Sequence, residues 1–202
     1  MKRASSSAPM QVKPVTLEGV HARLEPLSLA HLADLCKVGL DPELWRWTTT
    51  VVSTPDEMRE YIETALRWQA EGTAVPFAVI ATSAGRPIGS TRYANIDRAN
   101  RRLEIGWTWY GREWQRTAVN TECKYLLLRH AFESLGAIRV EFKTDSLNER
   151  SRAAILRIGA TEEGTLRNHM ITWNGRLRDT VYYSVIDSEW PVVKARLEGK
   201  LG

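Results

Sequence analysis

The chain has 202 residues, 43% of them hydrophobic and 26% charged, with 28 basic against 24 acidic side chains and so a net charge of +4. No apolar run approaches the ~18 residues of a membrane span, and the two cysteines, Cys36 and Cys123, are too few for a disulfide framework and suit reduced, buried thiols in the cytoplasm. Lysine and arginine are scattered among acids, so the stripe expected of a nucleic-acid-binding protein is missing, and the modest excess suits a polyanionic small molecule.

The opening MKRASSSAPM is basic and small-polar without an apolar centre, which does not fit a secretory signal. Residues 1–14 are expected to form a disordered N-terminal extension, and 15–202 a single domain. Val20 to Leu24 alternates as a strand does. Ser28 then starts a helix that runs to Gly39 and is broken at Asp41-Pro42-Glu43. Thr54-Pro55-Asp56-Glu57 opens a second helix, which continues to Glu71 and stops at Gly72.

Three strands follow as an antiparallel meander: Val75 to Ala81, Pro87 to Tyr93 and Arg102 to Trp109, with turn residues between them. The period then changes. Val119 to Leu135 reads as a long amphipathic helix closed by Gly136, Ile138 to Lys143 as a strand, and Asn148 to Ile158 as a helix closed by Gly159. Thr161 to Thr172 and Asp179 to Ile186 are two further strands, joined at Trp173-Asn174-Gly175, where Asn-Gly signals a hairpin. A terminal helix closes the chain, and no internal repeat, low-complexity segment or linker divides it. This order predicts an α/β fold: a twisted mixed sheet of about seven strands flanked by helices, parallel where two strands flank the helix at Val119.

The segment from Leu103 to Glu133 is the most informative. It runs from an alternating strand through a short polar turn into a helix without proline. The first amides of a helix lack internal partners and carry the positive end of its dipole, so such a joint can hold an anionic group such as phosphate. On its own, Gln115-Arg116-Thr117-Ala118 can equally be a strand-to-helix turn without a ligand.

Glu104-Ile105-Gly106-Trp107, Gln115-Arg116-Thr117-Ala118, Asn148-Glu149-Arg150-Ser151 and Ile158-Gly159-Ala160, in this order, make residues 15–190 resemble the GNAT superfamily of acyl-CoA-dependent N-acyltransferases, within it the RimJ/RimL-like branch. Gln115 and Ala118 match the end of the family's phosphate loop; Arg116 stands where that loop has glycine, although a non-glycine residue resists positive φ. The resemblance implies acetyl-CoA as acyl donor, with Gln115, Arg116, Thr117, Ala118, Val119 and Asn120 at its phosphates. It also implies main-chain contacts from Trp107, Thr108 and Trp109 to the pantetheine, one of their amides polarising the thioester carbonyl. Trp107 and Trp109 can also be core residues.

By the same resemblance Asn148 contacts CoA and Ser151 protonates the departing thiolate, while Ser146-Leu147-Asn148-Glu149 also reads as a capping box. Glu104 is the candidate general base, directly or through water, with a solvated strand carboxylate as the plain alternative. Trp45, Trp47 and His169 are candidates for the acceptor site, or simply packing and surface residues. Histidines at 21, 31, 130 and 169 suggest no metal. The expected activity is N-acetylation of a small-molecule or peptide amine by direct transfer, without a covalent enzyme intermediate. The alternatives are a non-catalytic acyl-CoA-binding module or a basic nucleic-acid-binding protein. The last strand and Trp190 offer a surface for a homodimer.

Overall fold

The computed structural model describes residues 9–202; residues 1–8 of the expected extension lie outside the described residues. Met10 and Val12 are buried in the main core. Eight strands form one sheet: β1 (Leu17–Glu18), β2 (Ala22–Pro26), β3 (Val75–Ala81), β4 (Arg86–Asp97), β5 (Arg102–Tyr110), β6 (Arg139–Asp145), β7 (Thr161–Ile171) and β8 (Leu177–Ile186). The two-residue β1 is the strand that alternation is too short to announce. The helices are α1 (Leu32–Gly39), α2 (Pro55–Ala70), α3 (Ala118–Arg129), α4 (Glu149–Ile158) and α5 (Trp190–Leu201).

Sheet order is β1-β2-β3-β4-β5-β6-β8-β7. The first five strands are an antiparallel meander, β5 and β6 pair in parallel across α3, and β8 returns between β6 and β7. A parallel neighbour demands a crossover, and α3 supplies it. The Asn-Gly hairpin is present, with Gly175 at φ 82.

Two cores lie on the two faces of the sheet. Leu103, Ile105, Tyr93 and Phe142 pack with α3, α4 and α5 on one face, whereas Ala78, Ile80 and Trp109 pack with α1 and α2 on the other. Thr54 caps α2 as a capping box with Glu57, and Pro55 takes the first helical position. The helix after Val119 is α-helical only to Arg129 and then widens into a π turn over His130–Ser134, where the Leu135 amide donates to the His130 carbonyl. Gly136, at φ 67, ends it as expected. Trp190 stacks on Phe132, donates its indole N–H to Glu133 and is buried within the chain, so it does not present a dimer surface.

Candidate active site

Parallel pairing of β5 with β6 covers only Arg102–Arg139, Leu103–Val140 and Glu104–Glu141. Beyond Glu104 each strand stays with its outer neighbour: β5 with β4 up to Tyr110, and β6 with β8 up to Asp145. The two strands therefore diverge, and the main-chain groups of β5 that point into the gap have no partner on β6. Unpaired strand groups are costly unless water or a ligand takes them.

Within that gap β5 carries a bulge. Gly106 pairs with Arg92 and Trp109 with Ser90, so Trp107 and Thr108 together face Thr91 alone. Trp107 adopts φ 48, a left-handed backbone rare for a bulky residue. Its surroundings fix it there. The Arg92 guanidinium, 1% exposed, lies 4.9 Å from the Tyr61 ring and 5.2 Å from those of Trp68 and Trp107. Trp68 meets Trp107 edge-on, and the Tyr61 hydroxyl donates to the Trp107 carbonyl at 3.4 Å. The bulge re-aims the amides of Trp107 to Trp109 relative to a regular strand.

The divergent strand leads into the start of α3. Thr117 caps it, its hydroxyl accepting from the Val119 amide at 3.3 Å. Arg116 takes φ 64, so the loop makes the left-handed turn that glycine usually makes, with its guanidinium side chain exposed. Gln115 spans the joint: its amide donates to the Tyr110 carbonyl at 2.9 Å and its carbonyl oxygen accepts from Arg150 on α4. Further along, Arg157 of α4 donates to Thr121 of α3 at 3.4 Å, so the two helices run parallel with both N-termini at the open end of the gap. A cleft of about 360 Å³ opens beside Thr117, Ala118 and Val119 on the β2 side.

Asn148 is the N-cap of α4 and accepts from the Ser151 amide at 3.0 Å. The expected Ser146–Glu149 box is absent, because the Ser146 amide donates to Asp179 at the edge of β8 instead. The cap uses the main chain of Ser151 and leaves its hydroxyl out, half-buried at the mouth of the gap.

On the opposite face, Glu104 is 3% exposed. Its carboxylate accepts from Asn95 Nδ2 at 2.6 Å and pairs with the Lys143 ammonium at 2.8 Å. The sheet thus carries a buried carboxylate at the point where β5 and β6 part.

The site is thus a gap between parallel strands, with a bulge on one arm and two helix N-termini at its mouth. The family described as an acetyltransferase (GNAT) domain matches residues 21–161. The chain belongs to the GNAT acetyltransferase family. It is 32% identical over 171 residues to the "Putative ribosomal N-acetyltransferase YdaF" of Bacillus subtilis (strain 168), covering 83% of this chain and 90% of YdaF. The crystal structure of a GCN5-related N-acetyltransferase from Brucella melitensis matches with TM-score 0.90 at 31% identity, over 98% of this chain and 90% of that one. Mycobacterium smegmatis RimJ in complex with CoA-disulfide shares the fold, with TM-score 0.81 at 20% identity over 93% of this chain and 95% of its own. Domains of the GNAT family use acetyl-CoA as cosubstrate.

The acceptor-side candidates of this GNAT domain divide. Trp45 is buried between Tyr61 and Trp109, its indole donating to the Gly39 carbonyl at 2.8 Å, so it backs the site without lining it. Trp47 stands between the Arg46 and Arg176 guanidinium groups, and its carbonyl accepts from Arg178 at 3.3 Å. Trp173 donates to the Trp45 carbonyl at 3.1 Å, so the loop after α1 is tied to the β7–β8 hairpin. His169 lies edge-on to Tyr182, over which the Lys143 ammonium also sits, and its buried Nδ1 has no partner among the described residues. Burial, with the charges of Lys143 and Arg178 adding to it, lowers the His169 pKa and favours the neutral ring.

Sequence reasoning passed over Asn95, Lys143, Arg92 and Lys124. The sequence carries little signal for Arg92 and Lys124, since Ser90-Thr91 directly precede the first and Thr121-Glu122 lie just before the second, so their burial follows from the tertiary fold. Among the described residues no group of three or more His, Cys, Asp or Glu could hold a metal, and no helix is long and apolar enough to cross a membrane.

Proposed function

We propose that the protein transfers an acetyl group from acetyl-CoA to a primary amine in a ternary complex. The observation that carries this reading is the parting of β5 from β6 beyond Glu104, with the Trp107 bulge on one arm and the α3 N-terminus at the mouth. Acetyl-CoA supplies an activated acyl carbon. The free amides of Trp107, Thr108 and Trp109 bind along the pantetheine, and one of them donates to the thioester carbonyl, where negative charge grows. Gln115, Arg116, Thr117, Ala118, Val119 and Asn120 present main-chain amides and one guanidinium to the phosphates. Asn148 borders the pantetheine, and Ser151 relays a proton to the departing sulfur.

Glu104 takes the proton of the acceptor ammonium, directly or through water. The acceptor enters on the α1/α2 face past Trp47 and His169, with Trp45 behind them. It is a small-molecule or peptide amine, and the ribosomal description of YdaF favours a peptide. Two separate thiols fit a reducing compartment, so the reading keeps the protein in the cytoplasm.

Thiol release from acetyl-CoA across a panel of small and peptide amines tests the reading, together with thermal shifts by CoA and by phosphate-free pantetheine. Turnover on at least one amine, with stabilisation that needs the phosphates, is expected. Binding without turnover on any amine would make the protein an acyl-CoA sensor, and no binding at all would refute the reading.

A further inference from the structure

Lys124 lies in the second turn of α3 and is 7% exposed. Helical side chains lean toward the N-terminus of their helix, and this one brings Nζ to 2.8 Å from the Thr108 hydroxyl. Thr108 stands on the β5 arm of the gap, directly after the bulge residue. The Phe142 ring, 5.8 Å from the same ammonium, stands on the β6 arm. The charge therefore sits on the α3 side of the gap, between the two arms.

Among the described residues it makes no ion pair. The small cavity between α3 and α4 that its stem lines is walled also by Arg157 and Lys200 and by no acid. Glu104, on the other face of the sheet, is the carboxylate whose charge it feels, so base and cation approach the gap from opposite sides. Burial lowers the Lys124 pKa to about 8, which leaves the ammonium the major form at neutral pH. An ammonium buried without a counter-ion is costly, and an anion that arrives during turnover removes that cost.

We propose that Lys124 is a catalytic cation of the acyl transfer, its Nζ pairing with the CoA sulfur as the carbon–sulfur bond breaks. The proposal rests on the acyl-CoA reading above. The amides around the bulge hold the thioester oxygen, and the sulfur is bonded to the same carbon, so it lies at the level of Thr108. The acceptor nitrogen, freed of its first proton by Glu104, attacks and forms the carbon–nitrogen bond, and the second proton that the nitrogen then sheds passes to water. The carbon–sulfur bonding pair goes to sulfur, where the ammonium offsets the new charge. The thiolate then takes a proton through Ser151 from solvent.

The test is the titration of CoA thiol bound at saturation to the wild type and to Lys124→Met, Thr108→Val and Ser151→Ala, followed by ultraviolet thiolate absorbance. In the wild type the bound thiol is expected to ionise at lower pH than free CoA. Lys124→Met should raise its pKa by about one unit, or tenfold less thiolate at a given pH. It should lower kcat on the order of a hundredfold with the amine KM unchanged. Thr108→Val, which removes the hydroxyl that aims the ammonium, should shift the thiol the same way by less, and serves if Lys124→Met does not fold. Ser151→Ala, which removes the hydroxyl that hands the sulfur its proton, should raise the thiol pKa by less than Lys124→Met does. Equal thiol pKa values in wild type and Lys124→Met, both binding CoA, would overturn the role of Lys124 and leave the acyl-CoA reading standing. A Ser151→Ala shift as large as that of Lys124→Met would overturn it too, and a wild type that does not bind CoA overturns both.

Discussion

Arg116 combines a backbone cost with a proposed ligand role, and Arg116→Gly separates them. At φ 64 a non-glycine residue carries strain of about 1–2 kcal/mol, while glycine loses about 0.5–1 kcal/mol more chain entropy on folding. The exposed guanidinium makes no hydrogen bond among the described residues, so little else is lost. The net is a gain between about 0 and 1.5 kcal/mol, and at about 2–4 °C per kcal/mol for a domain of this size the melting temperature should hold or rise by up to about 6 °C. A charge-assisted hydrogen bond to phosphate contributes about 1.5–3 kcal/mol, and an exposed site lies at the low end. Loss of the side chain should therefore weaken CoA about tenfold, with less dependence on salt, and leave phosphate-free pantetheine unaffected. Arg116→Ala should lose the same affinity without the thermal gain. Calorimetric titration with both ligands and thermal unfolding of the three proteins provide the readouts. Unchanged CoA affinity in Arg116→Gly would refute the phosphate contact, and a lower melting temperature would refute the strain argument.

Glu104→Gln should lower kcat on the order of a hundredfold, the usual worth of a general base, while CoA titration stays as in the wild type. An unchanged kcat would remove Glu104 as the base. Glu122 of α3 accepts hydrogen bonds from the Val20, His21 and Ala22 amides at 2.8, 2.6 and 2.7 Å, and a Cβ at Gly19 would stand 2.4 Å from its carboxyl carbon. Glu122→Ala strands those donors and should destabilise the domain by about 2–4 kcal/mol in urea unfolding; no change would mean that the β1–β2 turn is anchored elsewhere. Burial pushes the Cys123 thiol up to about 12, so at neutral pH it is un-ionised and gains reactive thiolate only as pH rises toward that value. Native alkylation at neutral pH, read by mass spectrometry, should modify the half-buried Cys36 and spare Cys123; labelling of Cys123 at the same rate would contradict its burial.

Elements were legible in the sequence where local period and punctuation decide them. The β3–β5 meander, the Thr54 box, the crossover helix with Gly136 and the Asn-Gly hairpin all follow from residues within a few positions of one another. The π turn at His130 does not, because it depends on how the last turn of α3 meets the sheet. Nor does the cap of α4: Ser146 and Asn148 were both able to serve, and the hydrogen bond from Ser146 to Asp179 on β8 decided between them. The gap itself is a long-range fact, since β6 leaves β5 in order to pair with β8, some forty residues further on. The same holds for Glu104, whose partners Asn95 and Lys143 come from two other strands. Trp45 and Trp47 are two residues apart in one loop, and only tertiary packing buries the first and leaves the second between two arginines.

The Arg92 cage shows how such long-range facts combine. A left-handed Trp107 costs on the order of 1–3 kcal/mol and persists only where neighbours over-determine it. Arg92 supplies that determination from β4, the strand to which the bulge belongs, with Tyr61 and Trp68 supplied by α2. Its Nε and Nη2 are buried without partners among the described residues, at about 1–3 kcal/mol for each stranded group. Desolvated cation–π contacts of about 2 kcal/mol offset much of this. An apolar residue of similar length would fill the same space without stranding any donor, so stability alone gives no reason for a guanidinium here. What an apolar residue lacks is the planar charge that draws three ring faces to one point. That point lies under Trp107, so the cage holds in place the one backbone distortion that turns the β5 amides toward the gap.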